Sequence, residues 1–230
     1  MGLLDDLKKQ ADLLKTQQIH QKDVQSDKLR LVEAKMKQAF LYVNELLKQL
    51  TVLKPKSPLM FSIPYVVNLQ GLALADSFID YRRKRINDKE YFDTVNFYVK
   101  WTSPNTVVID SDNPAAIQRA RESLWASKMR FTEEERKNSR GILIGCKFTV
   151  PATVITDITI KADHDRGNLL VQAKNLFGIG VDQLVVPAPE VSEDMLEDFA
   201  KALIGQQSSF RRFSVKTDDP KGAAQGAGRK

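Results

Sequence analysis

Between Leu3 and Leu53 the chain has neither proline nor glycine, and Leu, Lys, Gln, Ala and Glu dominate. A stretch with no breaker and that composition predicts one α-helix of about fifty residues, and everything after it must fold around that object. In its second half Leu29, Val32, Met36, Ala39, Val43, Leu46 and Leu50 follow the 3, 4, 3, 4 spacing of a coiled-coil seam, with Phe40 and Leu47 widening the stripe. Leu4, Leu7, Ala11 and Leu14 repeat the pattern briefly, and the two registers meet after a four-residue offset, the size of a stutter.

The segment between them, Thr16 to Asp27, is polar apart from Ile19 and Val24. It permits either a continuous helix or a turn that folds the two halves into a helical hairpin. A continuous helix of fifty residues is ~75 Å long, whereas a compact body of ~150 residues has a radius of gyration near ~15 Å. Its far half would overhang and need an apolar partner, most simply a second copy. The lack of Gly or Pro in the segment favours the continuous form. The seam from Leu29 onward has two outlets, docking on the chain's own body or oligomerisation. Around Leu3 to Leu14, the carboxylates of Asp5, Asp6 and Asp12 oppose binding to anionic lipid.

Lys54-Pro55-Lys56-Ser57-Pro58 ends the helix, because two prolines cannot continue it. Beyond it the period changes to two. Leu72 to Arg85, Tyr91 to Trp101 and Thr106 to Ile109 read as strands, followed by a helix capped at Asp112 or Asn113, with Pro114 in its first turn and Ile117, Ala120 and Leu124 facing inward. The order then recurs. Strands at Ile155 to Ala162, Asn168 to Leu176 and Gln183 to Val186 precede a helix capped by Ser192, with Met195, Phe199 and Leu203 on one face. Extra strands are expected at Gly141 to Val150 and, loosely, Tyr65 to Leu69.

These elements predict an α+β protein: a long N-terminal helix over residues 1–53, then an antiparallel body over 59–210 made of two β-β-β-α units, about 59–130 and 141–206. A disordered basic tail is expected over 214–230. The plan is loosely similar to that of small dimeric secretion-chaperone and adaptor domains, which are shorter. That likeness concerns fold alone.

The net charge of +6 matters only where it clusters. Residues 1–56 carry 11 basic and 7 acidic side chains, 151–210 carry 4 and 9, and 211–230 carry 6 and 2. The excess therefore sits at the two ends. The densest basic run, Arg82-Arg83-Lys84-Arg85, would split between both faces of a strand, so it suits an edge strand and reads as a phosphate contact only in second place. Residues Met1 to Asp6 show no secretory pattern, and no run of ~18 apolar residues occurs, which points to the cytoplasm and away from a membrane span.

Motifs for chemistry are sparse. His20 falls in the polar stretch of the helix; His164, flanked by Asp163 and Asp165, falls in a turn whose consecutive residues rarely converge on one ion. Gly141-Ile-Leu-Ile-Gly145-Cys146-Lys147-Phe148 lacks the glycine spacing and the hydroxyl of a phosphate loop, and Gly178-Ile179-Gly180 lacks the third glycine of a dinucleotide turn. Cys146, on an apolar strand, reads as core. No cofactor or metal site is expected. The sequence supports a non-enzymatic cytoplasmic interaction or adaptor protein that binds itself or another protein through its helix seam. The alternative is nucleic-acid association through the basic helix, Arg82 to Arg85 and the tail.

Overall fold

The computed structural model describes residues 3–215, with the side chains at 3–11, 18, 19 and 21 outside the description. A continuous α1, Leu3–Leu53, forms where no breaker interrupts it; there is no hairpin. It stops at Lys54, which enters the left-handed region at φ 45° just before Pro55. A short hairpin follows, β1 (Phe61–Ile63) with β2 (Val67–Leu69). Then come β3 (Ala73–Ile86), β4 (Lys89–Ser111), α2 (Pro114–Ser127), β5 (Thr132–Lys137), β6 (Leu143–Asp163), β7 (Asn168–Lys174), β8 (Val181–Pro187) and α3 (Glu193–Leu203). The class is α+β.

Six strands share one antiparallel sheet in the order β3-β4-β6-β7-β8, with β5 beside the first part of β6. The expected order of strands and helices is present in both halves, but the halves are woven together. The short strand expected at Thr106 to Ile109 is the far end of β4, and the one expected at Gly141 to Val150 is the near end of β6. These two long strands pair with each other along their length, with a shift between Thr102 and Thr106. The strand β5 was not anticipated. Its sequence, Thr132-Glu-Glu-Glu-Arg-Lys137, has no apolar alternation; it is held to β6 by an antiparallel backbone ladder, with Glu133 paired to Arg121 and Glu134 to Lys147.

Among the described residues, helices cover one face of the sheet only. On β4 the residues Val95, Phe97, Val99 and Trp101 are buried, and on β6 so are Val154, Ile158 and Ile160, all facing the helices. Val32, Met36, Ala39, Val43, Leu47 and Leu50 of α1 close over this face within the same core. Phe199 of α3 meets Phe97 edge-on, at 6.0 Å. Ile117, Ala120 and Leu124 of α2 cover Cys146, Phe148 and Val150 in an adjoining cluster. Asn113 caps α2 by accepting from the amides of Ala115 and Ala116.

The seat of α1 is fixed by a polar anchor where β4 bulges. Between Arg82 and Arg83 the register with β3 slips by one residue, and the Phe92 amide is satisfied by Glu33 instead, donating to Oε2 at 2.6 Å. The Phe92 carbonyl faces Nε2 of buried His164 at 3.0 Å. A carbonyl only accepts, so Nε2 carries the ring proton. Glu33→Ala strands a backbone donor and is expected to lower stability by about 1–3 kcal/mol in urea unfolding, whereas Glu33→Gln, which keeps an acceptor, loses less than about 1 kcal/mol. Equal losses in both variants would refute the anchor.

Candidate functional site

The predicted seam divides unequally between core and solvent. Val32, Met36, Ala39, Val43 and Leu50 are buried against the sheet and α3, and Leu29 and Leu46 are half-buried. Leu47 is buried as well, and Phe40 packs on Tyr81 at 4.8 Å. This stripe is occupied by its own chain. Ahead of it every described side chain from Asp12 to Lys28 is exposed, Leu13 at 63% and Leu14 at 59%. Leu4, Leu7 and Ala11 lie outside the described side chains.

Arg82, Arg83, Lys84 and Arg85 fall on β3, which is an edge strand of the sheet. Three of the four have carboxylate neighbours: Arg83 with Glu90 at 4.0 Å, Lys84 with Asp93 at 3.3 Å and Arg85 with Asp88 at 2.9 Å. Arg83 also lies over the rings of Tyr81 and Phe92. The run is thus dispersed over both sides of an edge, and no joint four-cation surface forms.

A different concentration of cations lies on the bare face of the sheet. Along β6 the neighbour changes from β5, last paired at Thr149, to β7, first paired at Asp157, and between these points β6 has a strand only on its β4 side. Asn175 stands in for the missing ladder. Its Nδ2 donates to the Ile155 carbonyl at 2.9 Å, its Oδ1 accepts from the Gly180 amide, and its own carbonyl accepts from the Thr156 hydroxyl. Thr156 in turn receives the indole N–H of Trp101 at 3.2 Å. Held open in this way, the gap forms a cleft of about 620 Å³. Lys100 from β4, Lys128 and Arg130 from the turn after α2, and Lys174 from β7 all line it.

Among the described residues Asp76 is the one carboxylate lining the cleft; it stands opposite Lys100 in the ladder, and its Oδ2 accepts from the Tyr98 hydroxyl at 2.8 Å, while Asp157, just outside, stands opposite Lys174. That hydrogen bond raises the Tyr98 pKa. Among the described residues, no carboxylate lies within 4.0 Å of any of the four cations. Beside the cleft the Phe78 ring, 57% exposed, stacks on Tyr98 at 6.2 Å. Nothing local in the sequence marks this group, because its members come together only once β6 changes neighbours.

The remaining reactive side chains are used structurally. His20 is exposed on α1. His164, expected in an ordinary turn, turns inward and is 6% exposed, while Asp163 accepts from the Arg166 amide. The three residues Asp163, His164 and Asp165 do not converge. The Arg136 guanidinium crosses Gly145 to reach Asp110 at 2.6 Å, so a Cβ at this position would displace the end of the Arg136 side chain.

Cys146 is fully buried, with its thiol donating to Glu133 at 3.3 Å, and Glu133 also binds the Arg121 guanidinium. Arg121 holds Glu133 below the usual carboxylate range, whereas burial first, and Glu133 second, push the thiol up to about 11. A raised folded pKa means that the folded chain keeps a proton the unfolded chain releases above its ordinary value of ~8.5, so this contribution to stability fades as pH climbs toward 11. Native protein is therefore expected to resist a thiol reagent at pH 8 and to react fully once unfolded. The fall in stability between pH 9 and 11 is expected to be shallower in Cys146→Ala. Rapid native labelling would contradict this account.

No protein family, curated protein or solved structure matches the chain.

Proposed function

We propose that this chain is a non-enzymatic cytoplasmic adaptor that pairs with a second copy of itself through the first half of α1. One observation carries the reading: α1 is helical from Leu3, yet every described side chain from Asp12 to Lys28, more than four turns, is exposed, with Leu13 and Leu14 in water. Helix without tertiary packing is marginal at such lengths, so an apolar stripe of this kind gains most from a partner. A second copy suits it because both signs of charge occur within the same turns, Asp5, Asp6 and Asp12 beside Lys8, Lys9 and Lys15. Opposed copies can then set carboxylate against ammonium along the flanks of the seam. Among the described residues no helix is long and apolar enough to cross a membrane, and a lone buried thiol suits a reducing compartment.

Removal of the whole helix is uninformative, because burial of Val32, Met36, Val43, Leu47 and Leu50 is worth roughly 10 kcal/mol at ~1.5–3 kcal/mol each, comparable to the entire stability of a domain. Residues 1–26 can go without touching that core. Light scattering at tens of micromolar is expected to give twice the 26.0 kDa chain mass for the full protein. Leu7→Glu with Leu14→Glu, and the chain lacking residues 1–26, are expected to give single-copy masses with an unchanged melting temperature. A full-length protein that scatters as one copy would overturn the reading.

A further inference from the structure

We propose that the cleft on the bare face of the sheet binds a nucleotide-sized organic polyphosphate, with Lys100, Lys128, Arg130 and Lys174 on its phosphates and the Phe78–Tyr98 pair flanking its ring. This site is separate from the helix and stands or falls independently of it. Three different elements deliver four cations to one cleft, and although Asp76 stands opposite Lys100 and Asp157 opposite Lys174 in the ladders, none of the four closes an ion pair within 4.0 Å among the described residues, so the cleft's net charge favours an anion. Some cations elsewhere in the body are paired, Arg121 with Glu133 and Glu135 and Arg136 with Asp110, while others, Arg82, Lys89 and Lys161 among them, have no carboxylate within 4.0 Å among the described residues. What sets the cleft apart is that four such cations line one concave surface.

Its size and walls restrict the ligand. A volume of about 620 Å³ falls within the range of ~300–1,000 Å³ typical of small-molecule sites. The floor is tied to the chain, because Asn175, itself 4% exposed, donates through Nδ2 to Ile155 and accepts through Oδ1 from Gly180. One wall holds its cation against local preference. Lys128 ends α2 at φ 55°, where glycine would be relaxed, and its amide closes the helix on the Trp125 carbonyl at 3.1 Å. Asp76 accepts from the Tyr98 hydroxyl through Oδ2, and its single negative charge is outnumbered by the four cations that line the same cleft. The exposed Phe78 ring, stacked on Tyr98 beside the cations, offers a π-face to an attached base.

The test is calorimetric titration of the full chain at low salt with ATP and, separately, with inorganic tripolyphosphate. Both are expected to bind, with affinity falling as salt rises. Lys174→Gln and Lys128→Gly are each expected to weaken both ligands by on the order of tenfold. Lys128→Gly should do so with an equal or higher melting temperature, since glycine relieves the left-handed backbone, which separates loss of a contact from loss of the fold. Phe78→Ala is expected to weaken ATP and leave tripolyphosphate unchanged. Absence of binding by either ligand, or affinities unaltered in both lysine variants, overturns the proposal. So does a single-stranded oligothymidylate that binds without competition from ATP, because the face would then be a polymer surface.

Discussion

The whole arrangement depends on closure of the α1 stripe over one face of the sheet. Strands β4 and β6 put large apolar side chains on that face, Phe97, Val99, Trp101, Ile158 and Ile160 among them, and a sheet with one oily face is unstable until something covers it. α3 and α2 cover part. The strip between them is filled by Val32 to Leu50, so the helix is a core element for half its length. Its angle is then set by directional contacts at the point where it leaves the body: Glu33 takes the one amide that the bulge in β4 frees, and the carbonyl of the same residue holds His164. Hydrophobic burial supplies the affinity of helix for sheet, but burial alone is non-directional. The Glu33 hydrogen bond selects one seat among many.

Strand edges and strand gaps explain most of the polar structure. β3 and β8 are the free ends of the main sheet. The first carries Arg82 to Arg85, whose charge discourages further pairing. The second is partly closed by Ser214, bridged to Leu184, and by the Val215 amide, which donates to the Gln183 carbonyl at 2.8 Å. The expected tail therefore begins with two residues joined to the sheet, and the rest of it, from 216 on, lies outside the described residues. Where β6 changes neighbours the ladder is interrupted inside the sheet, and Asn175 repairs it with a side chain. That repair leaves an opening where continuous pairing would leave none.

Local order was legible in the chain, and long-range pairing was not. The helix showed in fifty residues without a breaker, its inward face in the seam spacing, and α2 and α3 in Asn113, Pro114 and Ser192, because these signals act over a few residues. The kink that joins Trp101 to Thr106 in one strand, and Val150 to Ile155 in another, has no such signal: each looks like a loop between two strands until its partner is known. The burial of His164 is hidden for a similar reason. Asp-His-Asp-Arg-Gly has turn composition, and the turn is real, but the ring enters the core only because Phe92, seventy-two residues away, offers a carbonyl there. The cleft was invisible for the strongest version of that reason, since Lys100, Lys128 and Lys174 share neither an element nor a spacing.

Among the described residues, α1 and the cationic cleft lie on opposite sides of the sheet. α1 lies over the apolar face, whereas Tyr98, Lys100, Ile155 and Lys174 alternate outward from the buried Val99, Val154 and Ala173 on the same strands. A copy bound along the first half of α1 would approach from the helical side and leave the cleft open. The strands that carry the cleft are also those that seat the helix: Tyr98 and Lys100 flank Val99 on β4, a few residues beyond Phe92, to which Glu33 is tied. A charge bound on one side and a helix held on the other therefore act on a single stiff strand. Its two faces can be occupied together without either occupant displacing the other.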